Sequence, residues 1–201
     1  MKYSERDLNI LTLTVYGEAR GEPREGKIGV AWSARNRATA DLWSDDRDDW
    51  WGEGIAGVCL RSWQYSCWNR PNQPQSQRER LEQFLVGSDV MRGILKPNSR
   101  ADDAIEDCWQ VARAVLDDRE PDPTCGSTHY YFEGSLEPSW AKGRRPAVRL
   151  GRHLFFNDIE DGYVVPARTS EVGGLPGTGA VGHLRAIREH VDALEVLIGE
   201  E

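Results

Sequence analysis

The stretch from Tyr16 to Arg37, YGEARGEPREGKIGVAWSARNR, dictates much of what this chain can fold into. Ahead of it, Ser4 with Asp7 three positions on makes a capping-box start, and Leu8, Leu11 and Val15 follow as one apolar stripe at helical spacing. That pattern predicts a helix over residues 5–19. Gly17, Gly21 and Pro23 then open the backbone, and Pro23 suits the first turn of a second helix running to about Ala38. Gly29, Ala31 and Ala34 give that second helix small residues that permit close packing. The expected unit is a tight pair of helices joined by a Gly/Pro turn.

Two carboxylates stand at this turn. The next step of the stripe after Val15 is Glu18, so an acid continues a core-facing row where the helix ends, and Glu22 follows four residues later. A carboxyl half-sunk against apolar surface tends to hold its proton to higher pH, which suits a general acid near neutrality. The plain alternative is a solvated helix end.

Residues 39–75 read as a long irregular stretch carrying Trp43, Trp50, Trp51, Trp63 and Trp68, five of the chain's eight tryptophans. Such length inside a compact domain points to a functional loop, and indole rings can stack on sugar faces while their N–H donates. Short helices are expected at 76–86 and 88–94. Ser99 and Asp102 open a further helix that buries Ala104, Ile105, Cys108, Val111, Ala112 and Val115 and ends at Arg119 to Pro123. Thr128 to Phe132 and Ala147 to Phe156, with Gly151 in the turn, read as short antiparallel strands. The fold class expected is α+β, mainly α, with a small antiparallel β-hairpin. Residues 1–170 form one domain, 171–182 a Gly-rich linker, and 183–201 a C-terminal amphipathic helix striped by Leu184, Ile187, Val191, Leu194 and Ile198. Over 183–199 that stripe would dock on its own domain, pair with a second copy or bind a delivery partner.

A net charge of −8 argues against nucleic acid as a partner, since phosphate binding needs a basic face. No apolar run approaches the length of a membrane span, so no membrane insertion is expected. The start MKYSERDLNI lacks a hydrophobic signal core, which predicts synthesis in the cytoplasm without a signal peptide. Cys59, Cys67, Cys108 and Cys125 form no CxxC pair, and spacing leaves their disulfide status open. His129 and His153 lie on expected strands without a third partner for a metal. Paired with Cys67 or Cys125 they would suit a peptidase, but neither cysteine is marked by a helix N-terminus that would activate its thiol.

Four ordered blocks resemble the SleB-like cell wall hydrolases, a family that includes spore-cortex lytic enzymes and phage or prophage endolysins. They are EARGE with Val30, Ala31, Asn36 and Arg37; WQYSCWN over 63–69; STHYY over 127–131 with Pro138, Ser139 and Trp140; and GRHLFF over 151–156. The resemblance spans residues 5–157 and implies a lysozyme-like, transglycosylase-type catalytic domain that cleaves the glycan strands of peptidoglycan with no metal or cofactor. By position in the blocks, Glu18 is the catalytic residue, and Gln64, Tyr65, Ser66, Trp68, His129, Tyr130 and Trp140 line the substrate. Tyr65 stands where Phe is usual, and the loop between Trp43 and Gly57 is long and acidic. With no signal peptide, an enzyme acting at the wall or periplasm would need a holin or a virion to deliver it.

Hydrolysis of a glycan normally needs a second carboxylate, about 5 Å away for retention or about 6.5–9.5 Å for inversion. Glu22 is the candidate second acid, yet Gly21 and Pro23 argue against a continued helix that would bring it beside Glu18. A lytic transglycosylase needs one glutamate, which the resemblance also favours. A muramidase using both acids, and a non-catalytic envelope-binding or virion structural protein, remain the alternatives.

Overall fold

The computed structural model describes residues 2–40, 51–69, 77–86 and 100–159. Trp43, Trp50, the helix expected at 88–94, Ser99, the linker and the C-terminal helix lie outside the described residues.

Helix α1 spans Glu5–Ala19 and opens with the expected capping box: Ser4 Oγ accepts from the Asp7 amide at 3.1 Å and Asp7 Oδ2 accepts from the Ser4 amide at 2.9 Å. Its buried row is Ile10, Leu11, Leu13 and Val15. Helix α2, Arg24–Thr39, begins after Pro23 and is buried from Gly26 to Arg37, so it runs through the middle of the fold. Burying its polar side chains requires partners. Asn36 Nδ2 donates to Asp122, Thr124 and the Ser127 carbonyl, and Arg35 donates to the Val115 carbonyl and to Asp118.

The stretch read as an irregular loop contains a helix, α3 (Gly54–Leu60), and a single 3-10 turn at Ser66–Trp68. Sequence spacing misses α3 because seven residues with two glycines make neither a strong helix former nor a readable stripe. Packing supplies its stability instead. Ile55, Ala56, Val58 and Cys59 are buried against α1 and α2, and Asp7 Oδ1 accepts from the Ala56 amide at 2.9 Å. Helices α4 (Gln77–Val86) and α5 (Arg100–Leu116) fall where expected, α5 burying Ile105, Cys108, Val111, Ala112 and Val115.

Three short strands complete the described fold: β1 (His129–Phe132), β2 (Val148–Leu150) and β3 (His153–Phe156). The expected hairpin is β2–β3, turning at Gly151 with φ +59°, and β1 adds a third antiparallel strand on the other edge of β3. Tyr130 and Val148 both face Phe155 in register. A Cβ on Gly29 would stand 2.5 Å from the Phe155 ring, so this glycine is what lets the sheet lie on α2.

Candidate active site

Glu18 is half-buried in the last turn of α1, and both of its oxygens are held from distant parts of the chain. Oε1 accepts from Ser66 Oγ at 2.9 Å and from the Cys67 amide at 2.8 Å. Oε2 accepts from the Tyr130 hydroxyl at 3.0 Å. The helix end, the 3-10 turn and β1 therefore converge on one carboxyl group.

Close approach makes this possible. A Cβ on Gly17 would lie 2.5 Å from Cys67 Cβ, so only glycine admits the turn against α1. Gln77 of α4 caps the same spot by donating to the Gly17 carbonyl at 2.7 Å. Tyr130 is fixed by rings on several sides: Tyr65 at 6.4 Å, Phe155 at 5.4 Å and His153 edge-on at 5.1 Å between centroids. Burial pushes its phenol well above the ordinary tyrosine range, and the Glu18 charge adds to this, so it stays a protonated donor.

Arg37, buried on α2, ties the two donor segments together. Its Nε donates to the Thr128 carbonyl at 2.7 Å, next to β1, and its Nη1 donates to the carbonyl and Oε1 of Gln64 at 3.2 and 3.1 Å. The guanidinium also lies 5.1 Å over the Tyr65 ring. Sequence reading placed Arg37 in a motif without giving it this role; a basic residue on the small-residue helix was the available signal.

The cell wall hydrolase family model matches residues 21–156, from the turn before α2 to the last residue of β3. The chain belongs to the cell wall hydrolase family. Glu18 lies just ahead of the matched stretch. The spore cortex-lytic enzyme of Halalkalibacterium halodurans is 27% identical over 156 residues, covering 77% of this chain and 36% of that protein. The spore cortex-lytic enzyme of Bacillus subtilis is 27% identical over 157 residues, covering 76% of this chain and 38% of that protein. The chain thus spans less than half the length of these curated relatives. The crystal structure of the catalytic domain of the Bacillus cereus SleB protein aligns with a TM-score of 0.43 and 23% identity, over 77% of this chain and 91% of that one.

In this cell wall hydrolase, Glu22 is held quite differently from Glu18. Its side chain is 3% exposed, and Oε2 accepts from the Arg152 amide at 2.8 Å while Oε1 accepts from Arg152 Nε at 2.8 Å and faces Nη2 at 2.6 Å. Burial pushes the carboxyl up, but the Arg152 hydrogen bonds and charge outweigh it, leaving Glu22 below the usual carboxylate range. Gly151 is needed here too, since a Cβ would stand 2.4 Å from Glu22 Oε2. The pair fastens the α1–α2 turn to the β2–β3 turn.

Among the residues expected to line the substrate, Ser66 and Tyr130 meet at Glu18, and Gln64 reaches the same loop with its Oε1 occupied by Arg37. Two differ from expectation. Trp68 is only 2% exposed, with its indole N–H donating to Thr14 Oγ1 at 2.8 Å, so it packs the core and not a cleft. Tyr65 is buried as well, its hydroxyl 3.2 Å from Ser33 Oγ and its ring under Arg37. Both lie in a segment without periodicity, where an aromatic side chain gives no sign of which way it faces. Trp140 is half-buried against His129, Tyr131 and Phe156. His129 Nδ1 lies 3.0 Å from Thr128 Oγ1, and burial pushes its imidazole well below the ordinary range, so it is neutral. His153 is also pushed down by burial and packs edge-on to Tyr130. The Cys67 thiol is buried and pushed far up, by burial first and by Glu18 second, which leaves it inert as a nucleophile.

Proposed function

We propose that this cell wall hydrolase cleaves the glycan strands of peptidoglycan as a lytic transglycosylase, with Glu18 as its single acid and base. One contrast carries the reading. Glu18 is half-buried and held by two hydroxyls and an amide, while Glu22 is sealed in an ion pair with Arg152. The Ser66 and Tyr130 hydroxyls can each donate to a carboxylate or turn and accept from a carboxylic acid, so the same partners serve both charge states of Glu18.

In the first step the Glu18 carboxyl gives its proton to the glycosidic oxygen, and the bond from that oxygen to C1 breaks with both electrons leaving on oxygen. In the second, the Glu18 carboxylate takes the proton of the C6 hydroxyl as O6 bonds to the positive C1. The product carries a 1,6-anhydro ring, and Glu18 is protonated again. General acid catalysis of this kind is worth about 10²–10⁴-fold.

The site of action would be the cell wall. Digestion of purified sacculi followed by mass spectrometry tests the proposal. Anhydro-muramyl ends are expected. Reducing ends would favour a muramidase, and no soluble muropeptides over about pH 5 to 8 would favour a non-catalytic envelope-binding protein.

A further inference from the structure

Trp63 is 77% exposed, whereas Trp32, Trp51 and Trp68 are all buried. Its backbone has φ +68°, a left-handed conformation that a bulky side chain rarely adopts. Both features work against folding: the indole buries little apolar surface, and the backbone is strained. The conformation is nonetheless fixed. The Trp63 amide donates to Asn69 Oδ1 at 2.9 Å, the Asn69 amide to the Ser66 carbonyl at 3.2 Å, and the Gln64 amide to the Arg61 carbonyl at 3.2 Å.

This braced loop is also the one that supplies Ser66 Oγ and the Cys67 amide to Glu18. Trp63 lies three positions before Ser66, at most about 11 Å of chain. A ring held in solvent on the loop that also grips the acid can meet a polymer that runs past it. The other exposed aromatic among the described residues, Phe132, is already covered by the Arg152 guanidinium at 4.7 Å.

We propose that Trp63 is a stacking platform for a pyranose ring of the glycan strand, a binding subsite beside Glu18. The inference rests on the reading of this chain as a glycan-cleaving enzyme. The flat indole matches the C–H face of an N-acetylhexosamine, and its N–H can donate to a hydroxyl or acetamido oxygen. Such a contact needs no charge, which fits a chain of net charge −8 acting on a polyanionic envelope.

The test compares the full chain with Trp63→Gly and Trp63→Phe, using tetra-N-acetylchitotetraose as the binding probe and purified glycan strands as the substrate. Glycine adopts the left-handed backbone without steric cost, so Trp63→Gly should melt no lower than the wild type. It should nonetheless bind the probe about three- to tenfold more weakly, and the glycan concentration giving half-maximal rate should rise by a similar factor with kcat unchanged. Trp63→Phe should fall between the two. Equal probe binding by Trp63→Gly and wild type overturns the proposal, as does a lower melting temperature for Trp63→Gly, which would make the indole a packing group. Weakened probe binding by Trp63→Gly in a chain that cleaves nothing would support the subsite and overturn the proposed function instead.

Discussion

The phenol of Tyr130 donates to Oε2 of Glu18 across 3.0 Å, joining the first strand to the end of the first helix. Its ring is fixed by Tyr65, Phe155 and His153, so the hydroxyl position is set by packing and not by the bond itself. Tyr130→Phe should keep that packing and lose the hydroxyl's bond alone, so stability should fall by no more than about 1.5–3 kcal/mol. Losing a hydrogen bond to a charged group is worth about 1.5–3 kcal/mol, so kcat on sacculi should drop about tenfold to a hundredfold. A variant as fast as the wild type would remove Tyr130 from the site.

Gly17 makes a second link testable. Its missing side chain lets Cys67 lie against α1, where a Cβ would approach Cys67 Cβ to 2.5 Å and Sγ to 2.9 Å. Gly17→Ala must push the 3-10 turn away and carry the Cys67 amide off Glu18. Overpacking of this kind costs about 1–3 kcal/mol. Urea unfolding should show that loss, activity should fall with it, and Cys67→Gly in the same chain should restore part of both. Wild-type stability in Gly17→Ala would mean that the turn yields freely.

The Glu22–Arg152 pair is asymmetric: the carboxylate is 3% exposed and the guanidinium side chain 58%. Arg152→Ala leaves a buried carboxylate with a single backbone donor and should cost about 3 kcal/mol. Glu22→Gln should cost less, because the exposed arginine simply rehydrates. The folded Glu22 carboxyl is held below its ordinary value of 4.5, so its contribution is fully present at neutral pH. It fades as pH falls through the lowered value. Unfolding curves should therefore show wild type and Glu22→Gln converging under acid conditions, and a constant gap between them would show that this carboxyl does not titrate with folding.

Helices α1, α2 and α5 were legible because a cap or a proline and a long apolar stripe agreed over many residues. The strands were legible because Gly151 punctuated a short alternating run. Helix α3 was not, since Ile55, Val58 and Cys59 owe their helical state to neighbours on α1 and α2. The site divides the same way. Glu18 could be found locally, where an apolar stripe runs into a broken helix. Its partners Ser66 and Tyr130 lie 48 and 112 residues away, and no spacing rule joins them. Trp68 shows the limit for aromatics: only the fold reveals that Thr14 takes its indole N–H.

The family match closes at residue 156 with β3, and Glu18 with its donors lies wholly within residues 2–159. Residues 183–199 are proposed as an attachment device and not as catalytic machinery. Deleting 171–201 should leave release of muropeptides within a few-fold of the full chain. Light scattering of both forms separates docking in cis from self-association, because only the latter lowers the mass of the assembly beyond the deleted segment. Loss of cleavage on truncation would assign the segment to the catalytic domain.

Glu18→Gln is the sharpest of these tests, because the substitution preserves so much. A glutamine oxygen can still accept from Ser66 and the Cys67 amide, and its NH₂ can donate to a Tyr130 hydroxyl that turns to accept. The melting temperature should therefore hold while the rate falls about 10²–10⁴-fold, the share expected of a lost general acid. Product analysis then separates the mechanisms. Anhydro ends from the wild type, with Glu22→Gln still active, fit one glutamate acting twice. Reducing ends, with Glu18→Gln and Glu22→Gln equally dead, would mean that the Arg152 pair opens and two carboxylates share the work. Glu18→Gln retaining near wild-type rate would sink the assignment and leave Glu22 as the acid to examine.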